Sequence, residues 1–215
     1  QLRLYGMGSL AAVEALVARP AAGLRAEISW ERPAGNFTYL FRVYLRRKGT
    51  GSWSLDAESV PTEGPGPYSY TTKARLIPAT DYEFKVVAYT MSKHDGVAAE
   101  TSCRSGESPP KDAPTNLRLV AAELDAITVA WDPPSQTHGV LTGYTVDTDV
   151  LGQQTFTQAT VEAGVTQFTK AFLDLDTRYR FQVSAANAAG EGPPSEILEA
   201  STMASARARF AAPAA

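Results

Sequence analysis

Residues 76–88, LIPATDYEFKVVA, and residues 173–185, LDLDTRYRFQVSA, are two versions of one stretch of sequence. Leu, Thr, Tyr, Phe, Val and Ala recur in them at identical places, at a constant offset of 97 residues. From the tyrosine onward, apolar residues occupy every second position, which is the period of a strand with one buried face. A repeated strand of this kind predicts two copies of one β domain.

A second repeat precedes each of these stretches. Ile28-Ser29-Trp30 and Pro33 match Val129-Ala130-Trp131 and Pro134 at an offset of 101 residues. Short alternating runs are separated by Gly- and Pro-rich turns along most of the chain, and this spacing is typical of β-sandwiches. We predict that each sandwich is built around a buried tryptophan and a corner tyrosine, namely Trp30 with Tyr82 and Trp131 with Tyr179.

Composition limits the classes of protein that fit. The 215 residues are 44% hydrophobic, which is enough for two domains of about a hundred residues. The sequence has no apolar run of about twenty residues that would insert in a membrane. The net charge is −3, with +2 on residues 1–108 and −5 on residues 109–215, whereas a nucleic-acid binder favours a strongly basic face.

Five stretches of the second copy together form a recognisable pattern: Ala113–Leu117, Trp131-Asp132-Pro133-Pro134, Tyr144-Thr145-Val146, Leu173–Tyr179 and Ala185–Ser195. In these stretches the second copy resembles the fibronectin type III family. The first copy keeps the tryptophan, the proline and the tyrosine corner, and it departs from the family after Ala88. An immunoglobulin domain would usually carry two cysteines, but Cys103 is the only one in the chain.

The resemblance implies an all-β chain of two consecutive seven-stranded fibronectin type III, or immunoglobulin-like, β-sandwiches joined by a short linker. We predict domains at residues 11–106 and 113–203. The linker is expected at residues 107–112, which include Pro109 and Pro110. Residues 1–10 are predicted to be an N-terminal extension, and residues 204–215 a C-terminal tail.

The resemblance also implies a function. Domains of this family serve as spacers and docking surfaces, so we expect a non-catalytic segment of a larger modular protein, for example in cell adhesion at the cell surface or outside the cell. The expected partners are proteins and neighbouring domains of the same parent chain, with no cofactor, no nucleic acid and no membrane insertion. Two alternatives stay open: an accessory spacer of a secreted carbohydrate-active enzyme, and a segment of an intracellular cytoskeletal or ciliary scaffold.

The candidate partner contacts all fall in the first copy. Arg46, Arg47 and Lys48 form a basic run at a predicted turn, which suits an acidic partner. Trp53 lies near a sheet edge, where a tryptophan serves either as a partner anchor or as a cover for the rim of the core. His94 lies in the loop that departs from the family pattern. Charged turns are common, so a purely structural role remains the alternative for the basic run.

The remaining polar candidates are weaker. Asn36-Phe37-Thr38 is an N-glycosylation acceptor, used only in the secretory pathway. Cys103 falls on the expected last strand of the first domain, where a half-buried thiol is favoured over a nucleophile. Asp147 and Asp149, and likewise Asp174 and Asp176, would give too few oxygens for calcium, so a solvated strand face and a polar turn are expected.

Overall fold

The computed structural model describes residues 10–33, 40–60, 64, 66–91, 94–153 and 156–204. All regular elements in these ranges are β-strands. The chain divides into two compact units, residues 1–106 and residues 107–215.

The first unit has seven antiparallel strands in two sheets. Strands β1, β2 and β5 form a three-stranded sheet in the order β1-β2-β5, and the other four form a sheet in the order β4-β3-β6-β7. The strands are β1 (Glu14–Ala21), β2 (Arg25–Glu31), β3 (Leu40–Arg47), β4 (Ser54–Ala57), β5 (Tyr68–Thr71), β6 (Asp81–Tyr89) and β7 (Asp95–Arg104).

The second unit repeats this order. Its three-stranded sheet is β12-β9-β8, and its larger sheet is β11-β10-β13, followed by β14 and β15, which both pair with β13 and together take the place of β7. The all-β, two-sandwich fold expected from the sequence is therefore confirmed. The strands are β8 (Thr115–Ala122), β9 (Ala126–Asp132), β10 (Leu141–Val150), β11 (Thr157–Glu162), β12 (Gln167–Ala171), β13 (Arg178–Asn187), β14 (Gly190–Pro194) and β15 (Leu198–Ser201).

Each unit has its own hydrophobic core between its two sheets. Trp30 and Trp131 are each 1% exposed and sit at equivalent places. The ring centroid of Trp30 is 5.3 Å from that of Phe41, and Trp131 is 5.3 Å from Tyr144, which holds the position of Phe41 in the second unit. Strand alternation thus places a tryptophan beside a second aromatic ring at the centre of each core.

The longest sequence repeat corresponds to a corner that both units build alike. The Tyr82 hydroxyl accepts a hydrogen bond from the Ile77 amide at 3.1 Å, and the Tyr179 hydroxyl accepts one from the Asp174 amide at 2.9 Å. Each ring is 5% exposed, so it packs in the core while its hydroxyl reaches the backbone of the corner.

A second side chain closes each corner from the end of the last strand. Ser105 accepts from the Thr80 amide and donates to the Ile77 carbonyl. Thr202 does the same for the Thr177 amide and the Asp174 carbonyl. Ser105 and Thr202 are themselves 97 residues apart, so they extend the repeat beyond the stretch that sequence comparison singles out.

Residues predicted as the linker make hydrogen bonds within the second unit. The Glu107 carboxylate accepts from the Val140 amide at 3.0 Å, and the Lys111 amide donates to the Gln136 carbonyl at 3.0 Å. The Asn187 side-chain amide donates to the Ser108 carbonyl at 2.6 Å. The exact bounds of the linker stay a prediction, but these three residues are held by the strands and loops that follow them.

Candidate functional site

The outer face of the β4-β3-β6-β7 sheet carries the main candidate site. Along β3, Tyr44 and Arg46 point away from the core, while Leu45 between them is buried. Tyr44 lies opposite Lys85 on β6, and Arg46 lies opposite Glu83. The Arg46 Nε donates to a Glu83 carboxylate oxygen at 2.6 Å, so the two strands are joined by an ion pair across this face.

Trp53 lies over this ion pair. The Arg46 guanidinium is 4.2 Å from the centroid of the indole ring, and the Lys85 ammonium is 4.7 Å from it. The same ammonium is 4.6 Å from the Tyr44 ring. We call Tyr44, Arg46, Trp53, Glu83 and Lys85 the Trp53 face. Such cation–π contacts hold a half-buried aromatic in one orientation, and they leave part of the indole in contact with solvent.

The other candidates of the first unit do not all join this face. Arg47 and Lys48 are exposed at the turn that follows β3. His94 lies at the opposite end of the sheet, because it precedes β7, whose first residue Asp95 pairs with Tyr89. Leu40 also pairs with Tyr89, so it marks the same end of the sheet on β3. Arg46 is six residues further along β3, which corresponds to about 20 Å. Arg46 and Trp53 are therefore brought together, and His94 is kept apart.

The second unit contains a counterpart of this arrangement that sequence reasoning missed. Asp149 on β10 and Arg180 on β13 lie opposite each other and form an ion pair, with the signs of Arg46 and Glu83 exchanged. The Arg180 guanidinium is 5.8 Å from the centroid of Phe156. Phe156 follows Trp53 at the offset of 103 residues that also relates Phe41 to Tyr144, and that offset was the available signal.

This counterpart bears on the role of Trp53. An aromatic residue before the fourth strand covers the arginine of a cross-strand ion pair in both units, whichever strand supplies the arginine. Covering the pair is thus part of the sandwich itself. Any partner contact by Trp53 would use the portion of the indole that Arg46 and Lys85 leave open.

The expectation for Asp149 is corrected by the structure. Its side chain was expected on a solvated strand face, but it is fully covered and bound to Arg180 through both carboxylate oxygens. Asp147 is partly buried on the same strand. Across the residues that the structure describes, no group of three or more His, Cys, Asp or Glu side chains could hold a metal ion.

Cys103 lies on β7 and packs partly against the first core. Burial raises the pKa of its thiol, which is opposite to the shift that a nucleophilic thiolate needs. His94 precedes the other end of the same strand. Asn36 lies outside the described residues. The described part of the chain contains no helix long and apolar enough to cross a membrane.

Comparison with known proteins agrees with this geometry. The family model of the fibronectin type III domain matches residues 112–201. Neogenin of Mus musculus is 33% identical over 184 residues, which are 81% of this chain and 12% of that protein. Neuronal cell adhesion molecule of Rattus norvegicus is 31% identical over 130 residues, which are 58% of this chain and 10% of that protein.

A solved structure of chicken CNTN1 FN1-FN3 domains is 22% identical with a TM-score of 0.44, and it covers 91% of this chain and 68% of that one. The chain spans about a tenth of the length of the two curated relatives above. Its second unit matches the family model and its first unit has the same strand order. The chain is a tandem of fibronectin type III domains.

Proposed function

We propose that this chain is a non-catalytic segment of a larger modular protein, in which it acts as a spacer and as a docking surface for other proteins. Two observations together carry the proposal. The chain forms two complete sandwiches, and the relatives that it matches are about ten times as long as the matched segment. A segment of this kind positions neighbouring domains and offers its sheets and loops to partners. The raised pKa of Cys103 also speaks against covalent catalysis.

A position at the cell surface or outside the cell is the second part of the proposal. One relative is named a neuronal cell adhesion molecule and another a sortilin-related receptor. Neither sandwich needs a disulfide, so the fold itself is compatible with either redox compartment. The test is mass spectrometry of the natural protein at Asn36. A glycan there supports the proposal, and an unmodified asparagine on material from every natural source contradicts it.

The docking surface of the first unit is the Trp53 face. Its side chains are already ordered by the Arg46–Glu83 ion pair and by the contacts of Lys85 with two rings. Binding to side chains that are already ordered costs little conformational entropy. Tryptophan and arginine are also among the residue types that contribute most to the binding energy of interfaces.

The experiment is a binding screen of the whole chain against purified cell-surface ectodomains, repeated with two variants. Trp53→Ala should weaken binding of a genuine partner at least tenfold, because an aromatic anchor contributes about 2 kcal/mol or more. Phe156→Ala, at the equivalent place in the second unit, is the matched control and should leave binding unchanged. A partner bound equally well by both variants and the parent chain would exclude the Trp53 face.

A further inference from the structure

The second unit has an open groove between the edges of its two sheets. Among the described strands, β11 pairs with β10 alone and β12 pairs with β9 alone, so each is an edge of its sheet. The groove is lined by residues from the end of β10, the start of β11 and the end of β12. The groove has a volume of about 500 Å³. Thr148 and Tyr179 contribute to its floor, and Lys170 and Phe172 to its lining on the β12 side.

The first unit closes the corresponding gap with a carboxylate. Asp56 is the extra residue of a bulge in β4, and its side chain accepts hydrogen bonds from the Tyr70 hydroxyl at 2.6 Å and from the Lys73 and Ala74 amides at 2.8 and 2.9 Å. The ladder between β10 and β11 has no bulge, so the second unit has no residue in the place of Asp56. Within the described residues, this carboxylate bridge is therefore found in the first unit and not in the second.

Two residues at the groove are costly to the fold as it stands. Thr148 is 3% exposed and its hydroxyl has no hydrogen-bond partner. Phe172 is 96% exposed and has a φ of 60°, a conformation that strains a bulky residue. The first unit has Arg75 at the place of Phe172. The Thr148 hydroxyl is closed to solvent, whereas the exposed Phe172 ring in a strained turn gains from a ligand that covers it.

Charge indicates the kind of ligand. Lys170 lines the groove and has no ion pair within the described part of the chain. The carboxylate of Asp149 also lines the groove, but Arg180 neutralises it. The charge left unmatched is thus positive, and it would be matched by a carboxylate of the ligand.

We propose that this groove docks an extended segment of a partner protein that carries a large apolar side chain next to an acidic residue. The apolar side chain packs against Phe172 and enters between β11 and β12. The acidic residue pairs with Lys170. This site is separate from the Trp53 face and lies in the other unit.

The test uses the whole 215-residue chain and a displayed library of random twelve-residue peptides. Peptides selected on the parent chain are then measured on Phe172→Gly. Because glycine adopts a positive φ without strain, this variant keeps the turn while it removes the aromatic ring. We expect at least tenfold weaker binding to it, together with an apolar–acidic pair among the selected peptides. Arg75→Gly, at the same place in the first unit, is the matched control and should bind as the parent does.

A second variant separates binding from folding. Lys170→Gln removes the positive charge and keeps most of the methylene stem, so its urea midpoint should stay close to that of the parent chain, while its binding of the selected peptides should fall several-fold. Trp53→Ala should leave peptide binding unchanged, which distinguishes this site from the one proposed above. A library that yields no peptide discriminating the parent from Phe172→Gly, or peptides insensitive to both Phe172→Gly and Lys170→Gln, overturns the proposal.

Discussion

The hydroxyls of the two buried tyrosines near the second core have opposite roles. The Tyr179 hydroxyl accepts a hydrogen bond from the Asp174 amide, whereas the buried Tyr144 hydroxyl lies near the Trp131 indole without a well-aligned hydrogen bond. We expect Tyr179→Phe to lower the free energy of unfolding by about 1–2 kcal/mol, because it leaves a partly buried amide unsatisfied. Urea denaturation of the second unit, followed by the fluorescence of Trp131, measures this loss.

The matched control is Tyr144→Phe. It removes a hydroxyl of the same kind from the same core, but no well-aligned hydrogen bond is lost, so stability should stay nearly level. Equal losses for the two variants would show that ring burial alone, and not the corner hydrogen bond, explains the repeated tyrosine.

Tyr70 reports on the Asp56 contact in the first unit. Burial raises the pKa of its phenol above the ordinary value near 10, and the hydrogen bond to Asp56 and the charge of that carboxylate raise it further. The folded state therefore holds the proton more tightly than the unfolded state. The resulting stabilisation is complete below pH 10 and is lost as the pH rises above it.

We expect Asp56→Ala to bring the pKa of Tyr70 back toward its ordinary value and to lower the free energy of unfolding by about 2–3 kcal/mol, since three hydrogen bonds lose their acceptor. NMR titration of ring-labelled tyrosine measures the pKa, and amide exchange at Lys73 and Ala74 should accelerate. An unchanged titration of Tyr70 would mean that burial alone sets its pKa.

At the scale of strands, both units have an ion pair at the same place in the larger sheet. The arginine is on β3 in the first unit and on β13 in the second, and the carboxylate is on the other strand of the pair. Asp149 is fully covered, and its partner Arg180 is 25% exposed. Removing the arginine leaves a covered carboxylate without a counter-charge, but removing the aspartate leaves a cation that can reach water. We therefore expect Arg180→Ala to lower the thermal midpoint of the second unit clearly more than Asp149→Ala does.

The first unit supplies the comparison. Arg46 and Glu83 are 24% and 25% exposed, so neither charge is trapped when the other is removed. Arg46→Ala and Glu83→Ala should then cost similar, small amounts, in keeping with partly solvated pairs. If Arg180→Ala and Asp149→Ala also prove equal, burial of Asp149 does not govern the energetics of the pair.

Most of the fold could be predicted from the alternation of apolar and polar residues along the strands, and the features that this alternation did not predict have a physical reason. Alternation and turn residues predicted the sandwiches because each strand has one buried face. The bulge at Asp56 breaks the alternation by one residue, and a single inserted residue leaves no pattern that sequence reasoning could read. By strand alternation Asp149 points outward, as a solvated residue would. Its pairing with Arg180 arises only when β10 and β13 lie side by side in the folded sheet.

For the candidate site, sequence placed Arg46 and Trp53 near each other in the chain but gave no sign of their stacking. Their contact depends on the register of β3 with β4, which pairs Leu45 with Ser54. His94 was grouped with them because it lies in an unusual loop, and the strand register separates it from them. Contacts across strands are set by register, and register is fixed by packing over the whole sheet.

At the scale of the whole molecule, the two cores are made of separate sets of residues. Phe41 is fully buried beside Trp30 in the first core. Phe41→Ala should cost about 3–5 kcal/mol, because it leaves a cavity that the surrounding strands fill only in part. We expect this loss to move only the unfolding transition of the first unit, and to leave that of the second where it is in the parent chain.

Calorimetry of the whole chain checks this, with Phe181→Ala as the matched variant, since Phe181 is equally buried in the second core. Each variant should shift one transition, and a different one. If Phe41→Ala lowered both transitions together, the two domains would unfold as one cooperative unit, and partner binding to either would stabilise the other. Separate transitions instead mean that the Trp53 face and the groove beside Phe172 can be occupied and lost independently.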